Sequence, residues 1–513
     1  MHLCPVWGFR HFPSQDGPTH LYNARVLGIY GAPQQDRLRE YYEINARPDP
    51  SWLDHLVLAS LVGVVPPPVA EKLVLSGFLV LFPLLFRATV SDMKAGGSAA
   101  AFLAFPLLCT FTFHMGFYAF CYGLVLFVAL LRAFVRGWPD YGSSAAFTMT
   151  SLALLLFAFH VVAFALAGVA IVLLMLSRAR SARWNAGLLI PALSFLPAGL
   201  WAAALIATHK RIRSAAVPDW DPRALFRRIA DLVSYRQEEL LVFRGLALCI
   251  GGLVIALLVR KVRERRWSPW DGFLAVWLVY ALLAIKSPAG MGGMWLLPQR
   301  FTLMAFLAAI LWLGAQRLGR KGDIVATGGG IVLAILLLGI HCQTYARLDD
   351  LLDEYDSAIG VIPDGATVLP LNFAVRDPFC GATGVTGPVA PFLHAAARIG
   401  WRRDIVDLTN YEAHLHLFPL WFRASRDPWL HVGDVESLPT HLDLSSERFG
   451  VIDYVLVWGM KNTDIPDRDD LQEIVAQLER GYSLIHRSPQ RGLLRVYRRR
   501  TTAAEGAPSR TPA

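Results

Sequence analysis

Charge is scarce in this chain. Only 17% of its 513 residues are charged while 54% are hydrophobic, and the mean hydropathy is +0.41, a balance too apolar for a soluble globular protein of this length. Cysteine is sparse as well. Cys109, Cys121 and Cys249 lie within apolar runs and Cys4, Cys342 and Cys380 outside them. With no CxxC pair and no zinc-finger spacing, neither a redox dithiol nor a cysteine-based zinc knuckle is expected, and a Cys342–Cys380 disulfide is left open. The opening stretch Met1-His2-Leu3-Cys4-Pro5-Val6-Trp7 has neither the basic start nor the apolar core of a signal peptide, and it is not expected to act as one. The formal net charge of +9 does not point to nucleic acid, because the Lys and Arg residues sit mainly in short loops between apolar runs, which is how membrane topology is written.

What the chain does have is a succession of apolar runs. Spans are expected near 69–87, 99–113, 116–135, 145–158, 161–177, 187–207, 242–260, 271–286, 300–316 and 324–341. Residues 51–66 are apolar but short and stop at Pro66-Pro67-Pro68, the pattern of an interfacial helix. The runs 145–158 and 161–177 are shorter than the roughly 20 residues of a perpendicular span, and could be one tilted helix or two. Two are favoured by an internal echo, Phe111-Thr112-Phe113-His114 and Phe157-Ala158-Phe159-His160, each ending at a tip.

The basic loops alternate. Arg87 and Lys94, Arg132 and Arg136, Arg178, Arg180 and Arg183, the run 260–266, and Arg317, Arg320 and Lys321 read as cytoplasmic. That leaves residues 1–68, the tips at His114 and His160, the loop 286–299 and everything after about residue 342 on the outer face of a plasma (inner) membrane. Beyond His341 the composition becomes that of an α/β segment. Ala366–Leu371 and Asp453–Trp458 read as buried strands, Leu471–Arg480 as an amphipathic helix, and Leu484–Arg498 as a strand pair turning at Ser488-Pro489-Gln490. The expected fold class is mainly α: a polytopic transmembrane helical bundle of about 10 spans with a C-terminal extracytoplasmic α/β domain. Its parts are a first extracytoplasmic segment (1–68), the membrane domain (69–341), the α/β domain (342–499) and a disordered tail (500–513).

Ahead of the first long apolar run stands Ser14-Gln15-Asp16-Gly17-Pro18-Thr19-His20-Leu21-Tyr22. Asp-Gly-Pro makes a turn that starts a helix, and taken alone Asp16 reads as a helix cap. Context gives it more to do. Ionisable groups at the ends of spans face a cavity or each other rather than lipid, and several gather on the outer side: Asp16, His20, His114, His160, Lys286 and Arg300. A carboxylate opposed by Arg and Lys suits transfer from a phosphate-linked donor, with Asp16 and His20 catalytic and Arg300 and Lys286 on the phosphate. Plainer roles exist as well: His114 and His160 as backbone partners at helix ends, Lys286 snorkelling to headgroups. In the α/β domain Arg376, His394, Arg398 and Glu412 are candidates for acceptor contacts, each with solvated surface as the alternative.

The acidic first loop, the interfacial helix, the uneven spans, the later outer loop ending in Arg300 and the C-terminal domain together resemble the GT-C class of polytopic membrane glycosyltransferases. Asp16-Gly17-Pro18-Thr19-His20-Leu21-Tyr22 is similar to the first-loop motif of uncharacterised bacterial members. The resemblance implies a cell-envelope transferase using a polyprenyl-phosphate sugar donor and a lipid, glycan or protein acceptor, with Asp16 as base or as ligand of a divalent cation (Mg or Mn) and Arg300 on the donor phosphate. The class carries a span before its first outer loop, so a helix is expected upstream of Met1 or is missing; and the loop has no Asp-x-Asp. A transporter or flippase of a lipid-linked substrate and a non-catalytic assembly subunit are the rival expectations.

Overall fold

The computed structural model describes residues 1–500 apart from Pro48, Ser51, 94–97, 180–185, most of 209–222, Gly293, 377–384, 437–441, 446–448 and 461–468. Lys94, Arg180, Arg183, Cys380 and the tail after Arg500, named above, lie outside the described residues.

Apolar runs become helices because a helix satisfies its own backbone hydrogen bonds without help from water. Among the described residues eight helices are long and apolar enough to cross a membrane: Pro67–Asp92, Tyr118–Gly137, Val161–Arg178, Ile190–Ala207, Glu239–Glu264, Pro269–Lys286, Leu297–Gly314 and Gly319–Gly360. Leu297–Gly314 is the innermost, with Met304, Ile310 and Trp312 fully buried, whereas Leu200, Leu248 and Ile255 on other helices are exposed. Ser143–Phe159 is shorter, and His160, in extended backbone (φ −160°), separates it from Val161–Ala179. These are two helices, as the Phe-x-Phe-His echo suggests.

The run 99–113 departs from expectation. It is not a membrane-length α-helix but a 3₁₀ helix, Ser98–Cys109, followed by a short turn of helix at Phe111–His114. It packs against the long helix Gly319–Asp356 so closely that a Cβ on Gly330 would lie 2.3 Å from the Phe102 carbonyl oxygen. An apolar run buried by protein has the same composition as one buried by lipid, so composition does not tell the two apart.

Gly319–Asp356 has 38 residues, about 57 Å of helix, and continues well past the composition change at residue 342. Its far end reaches a five-stranded mixed sheet in the order Val406–Asp407, Thr367–Asn372, Tyr454–Trp458, Leu494–Arg499, Tyr482–Arg487. The first three strands run parallel and the last two add antiparallel. Thr367–Asn372 and Tyr454–Trp458 are buried along their whole length, as continuous apolar strands of a parallel pair must be.

The first segment is wedged against this domain. Helix Gly17–Ile29 is buried from Gly17 through Ala24: Tyr22 donates to the Ile405 carbonyl (2.8 Å), Trp401 Nε1 donates to the Pro18 carbonyl (3.1 Å), and Arg25 pairs with Asp404 (2.7 Å). Strand Tyr42–Ile44 pairs antiparallel with Leu420–Phe422. Helix Leu53–Val62 then buries Asp54 and His55 while exposing Leu56 and Val57.

Candidate functional site

Asp16 is held by backbone before its side chain does anything. The amides of Gln15 and Asp16 donate to the carbonyls of His114 (3.1 Å) and Met115 (2.9 Å). The loop comes this close because Gly116 adopts φ +87°, and a Cβ there would lie 2.7 Å from the Gly17 nitrogen. Asp16 precedes the helix with Pro18 in its first turn, as Asp-Gly-Pro suggests, yet its side chain caps nothing. Instead Oδ1 accepts from Gln15 Nε2 (3.1 Å) and lies 3.5 Å from His394 Nε2, and the Tyr411 hydroxyl bonds the carboxyl group. Burial pushes the Asp16 pKa up to about 7, against the pull of His20 and the Gln15 bond.

One turn further along the same helix, His20 Nδ1 pairs with Glu412 Oε1. The other carboxylate oxygen, Oε2, lies 2.8 Å from His55 Nε2 and accepts from Asn23 Nδ2. Asn23 is fixed in turn by Asn410, whose amide donates to its Oδ1 (2.7 Å), while His55 Nδ1 faces Asp54 Oδ1 (3.2 Å). Burial pushes the Glu412 pKa up, but the two imidazoles outweigh it and hold the carboxyl well below the usual range. For His20 and His55 burial pulls the other way, and the Glu412 carboxylate still raises both.

His394 stacks on the Tyr411 ring, with centroids 4.6 Å apart, and sits between Asp16 and Glu436 Oε1 (3.5 Å). Burial lowers its pKa to about 3 and raises that of Glu436 to about 7. Opposite this group stands Arg300, in the first turn of Leu297–Gly314 and 8% exposed. Its guanidinium lies 4.6 Å over Phe117 and 5.8 Å from Phe120, its Nε has no hydrogen-bond partner, and Asp16 and Tyr411 are the acidic groups whose fields reach it. His160 lies edge-on to Phe120 at 5.0 Å, its Nδ1 accepting from the Ala163 amide.

Asp16, His20, His394 and Glu412 thus converge, with Arg300 and His160 bordering them across the Phe117–Phe120 turn. Other candidates lie elsewhere. The His114 carbonyl helps hold Gln15, but its ring points into a neighbouring cluster with Ser234 (2.8 Å), Tyr345 and His341. Lys286 Nζ donates to the Pro218 carbonyl, and exposed Arg376 donates to the Pro388 carbonyl. Arg398 is buried between Asp356 and Trp401, a packing role rather than a surface contact. Nor are His394 and Glu412 solvated surface: they are 2% and 0% exposed.

Sequence reasoning missed His55, Glu71, Tyr411 and Glu436. Glu71, in the first turns of Pro67–Asp92, accepts from Ser14 (2.7 Å) and Tyr118 (2.6 Å), bracing the residues around Asp16. A signal existed for two of them. Asp54-His55 interrupts an apolar run, and Glu71-Lys72 opens a span, both places where an ionisable side chain is costly unless partnered.

No protein-family model matches this chain, and comparison with curated proteins finds no match.

The site combines a carboxyl group titrating near neutrality, a buried guanidinium with an unused donor, and imidazoles of opposed protonation tendency. It can take up a proton and stabilise an anion beside it. The groups in contact with Asp16 are an amide, an imidazole and a phenol, not the oxygen-rich shell that magnesium or manganese takes.

Proposed function

We propose that the chain is a multi-pass membrane transferase of the GT-C kind, with the first segment and C-terminal domain on the extracytoplasmic side, transferring a sugar from a polyprenyl-phosphate donor to a lipid, glycan or protein acceptor. The observation that carries this reading is the neighbourhood of Asp16, a carboxyl group poised near neutral pH, and Arg300, a buried cation with a free donor that the Asp16 field reaches. In the transfer, the acceptor hydroxyl gives its proton to Asp16 as its oxygen bonds to the sugar C1. The C1–phosphate oxygen bond breaks, and Arg300 neutralises the departing polyprenyl phosphate. Helix Leu53–Val62 supports placement at a membrane surface, because it turns Leu56 and Val57 outward and Asp54 and His55 inward, the reverse of a water-facing helix.

The test is release of polyprenyl phosphate by purified wild type and Asp16→Asn. Wild-type turnover together with a loss of about 10²–10⁴-fold in the variant supports the reading. Unchanged turnover in the variant removes Asp16 from the chemistry. Movement of a lipid-linked substrate across proteoliposomes with no release from any donor replaces transferase with flippase.

A further inference from the structure

We infer that His20, His55 and Glu412 form a binding site for a divalent transition metal of the zinc class, distinct from Asp16. One ligand atom from each, two imidazole nitrogens and a carboxylate oxygen, lie within 4.8 Å of one another, and all three residues are buried. Tetrahedral zinc holds such donors at about 2.0–2.2 Å, with about 3.3–3.6 Å between them, so small side-chain rotations complete the geometry. Nitrogen-rich donors select zinc, cobalt or nickel over magnesium and calcium. Three protein ligands leave a fourth position for an oxygen ligand.

Two further observations point to a metal rather than to an ion-pair cluster alone. His20 Nδ1 and Glu412 Oε1, both buried, are in direct contact, so a nitrogen and an oxygen donor already converge on one spot that a cation can enter once the imidazole proton leaves. The surrounding residues are also those that orient metal ligands. His55 turns its second nitrogen to Asp54, the carboxylate–histidine arrangement of metal centres, and Asn23 donates to the remaining Glu412 oxygen. Charge closes as well: with both imidazoles neutral, Glu412 and Asp54 balance a dication, so the buried site carries no net charge. Binding displaces imidazole protons to solvent and needs no redox partner.

The ligands come from helix Gly17–Ile29, helix Leu53–Val62 and the short helix Tyr411–Leu415. The metal therefore staples both parts of the first segment to the C-terminal domain, and fixes the helix that begins at Asp16.

The experiment measures metal content and thermal stability in the full-length protein in detergent, without donor or acceptor. Wild type purified without chelator is expected to carry about one zinc per chain, to lose it to a chelator with a fall in Tm, and to recover both on adding zinc but not magnesium. Cobalt(II) in its place should give the visible absorption of a four-coordinate site. His20→Ala, His55→Ala and Glu412→Gln should lose the metal. Because these can misfold, Asp54→Asn, which keeps every ligand, provides a second reading and should weaken zinc binding about 10–100-fold. Wild type that takes up no stoichiometric zinc and shows no Tm change, or ligand variants that keep full occupancy, overturn the site. Asp16→Asn should retain the metal, so failure of the transferase reading and failure of this one are distinguishable.

Discussion

His55 Nε2 and Glu412 Oε2 lie 2.8 Å apart although 357 positions separate them in the chain. Neither residue is exposed to solvent. The contact joins the helix just ahead of the apolar helix Pro67–Asp92 to the C-terminal domain, and a buried charge left alone there costs far more than the pair contributes.

Glu412→Ala should therefore destabilise the protein by about 3–5 kcal/mol, since it strands two imidazoles in a dry site. Adding His55→Ala to it should cost much less than the sum of the single changes. Thermal unfolding of the four proteins of that cycle measures the coupling; simple additivity would show that the two groups act independently.

Arg300→Lys keeps the charge but loses the planar fork that stacks over Phe117 and matches a phosphate. The expected result is a drop in kcat/KM of about 10–100-fold with polyprenyl-phosphate donor, a loss of about 1.4–2.7 kcal/mol of transition-state binding, and Tm within a few degrees of wild type. A Lys variant of full activity excludes a bidentate phosphate contact.

Gly116→Ala tests the clamp on Asp16. The φ of +87° costs a residue with a Cβ about 1–2 kcal/mol, and the 2.7 Å approach to the Gly17 nitrogen adds to that. Both Tm and turnover should fall, turnover by more, because the backbone that positions the carboxyl must move. Turnover unaffected by a confirmed drop in Tm would show that the clamp does not set the position of the reacting group.

Asp407 gives a pH dependence free of the site. It is 2% exposed in strand Val406–Asp407, and burial raises its pKa from 3.8 to about 6 despite bonds from the Thr409 amide and hydroxyl. Below about pH 3 the carboxyl is protonated whether the chain is folded or not, so it makes no difference to stability. As pH rises toward 6 the unfolded chain releases a proton that the folded one retains, and stability falls, by at most about 3 kcal/mol. Asp407→Asn should remove that decline: a higher Tm than wild type at pH 8 and no advantage at about pH 3. Equal Tm differences at both pH values would contradict the assignment.

The long apolar helices were legible in the sequence because hydrophobic runs of that length have few other uses, and the C-terminal strands because Thr367–Asn372 and Tyr454–Trp458 are largely apolar segments between turn residues. Ser98–Cys109 was misread, since apolarity says that a run is out of water but not what surrounds it. At the site, Asp16 and Arg300 carried local signals: a turn before a helix, a cation after a glycine-rich loop. His55 and Glu412 carried little, because their meaning lies in a contact between residues far apart in the chain. Arg376, by contrast, looked as eligible as Glu412 and is an exposed side chain.

Pairing of strand Tyr42–Ile44 with Leu420–Phe422 sets a timetable for biogenesis. The second strand is synthesised nearly 380 residues after the first, roughly 20–75 s at ordinary translation rates. Throughout that interval His20 and Asn23 lack Glu412, and Tyr22 and Arg25 lack Ile405 and Asp404. The stretch around Asp16 is made early and completed late, so through that whole interval it is open to proteases and to pairing with the wrong strand.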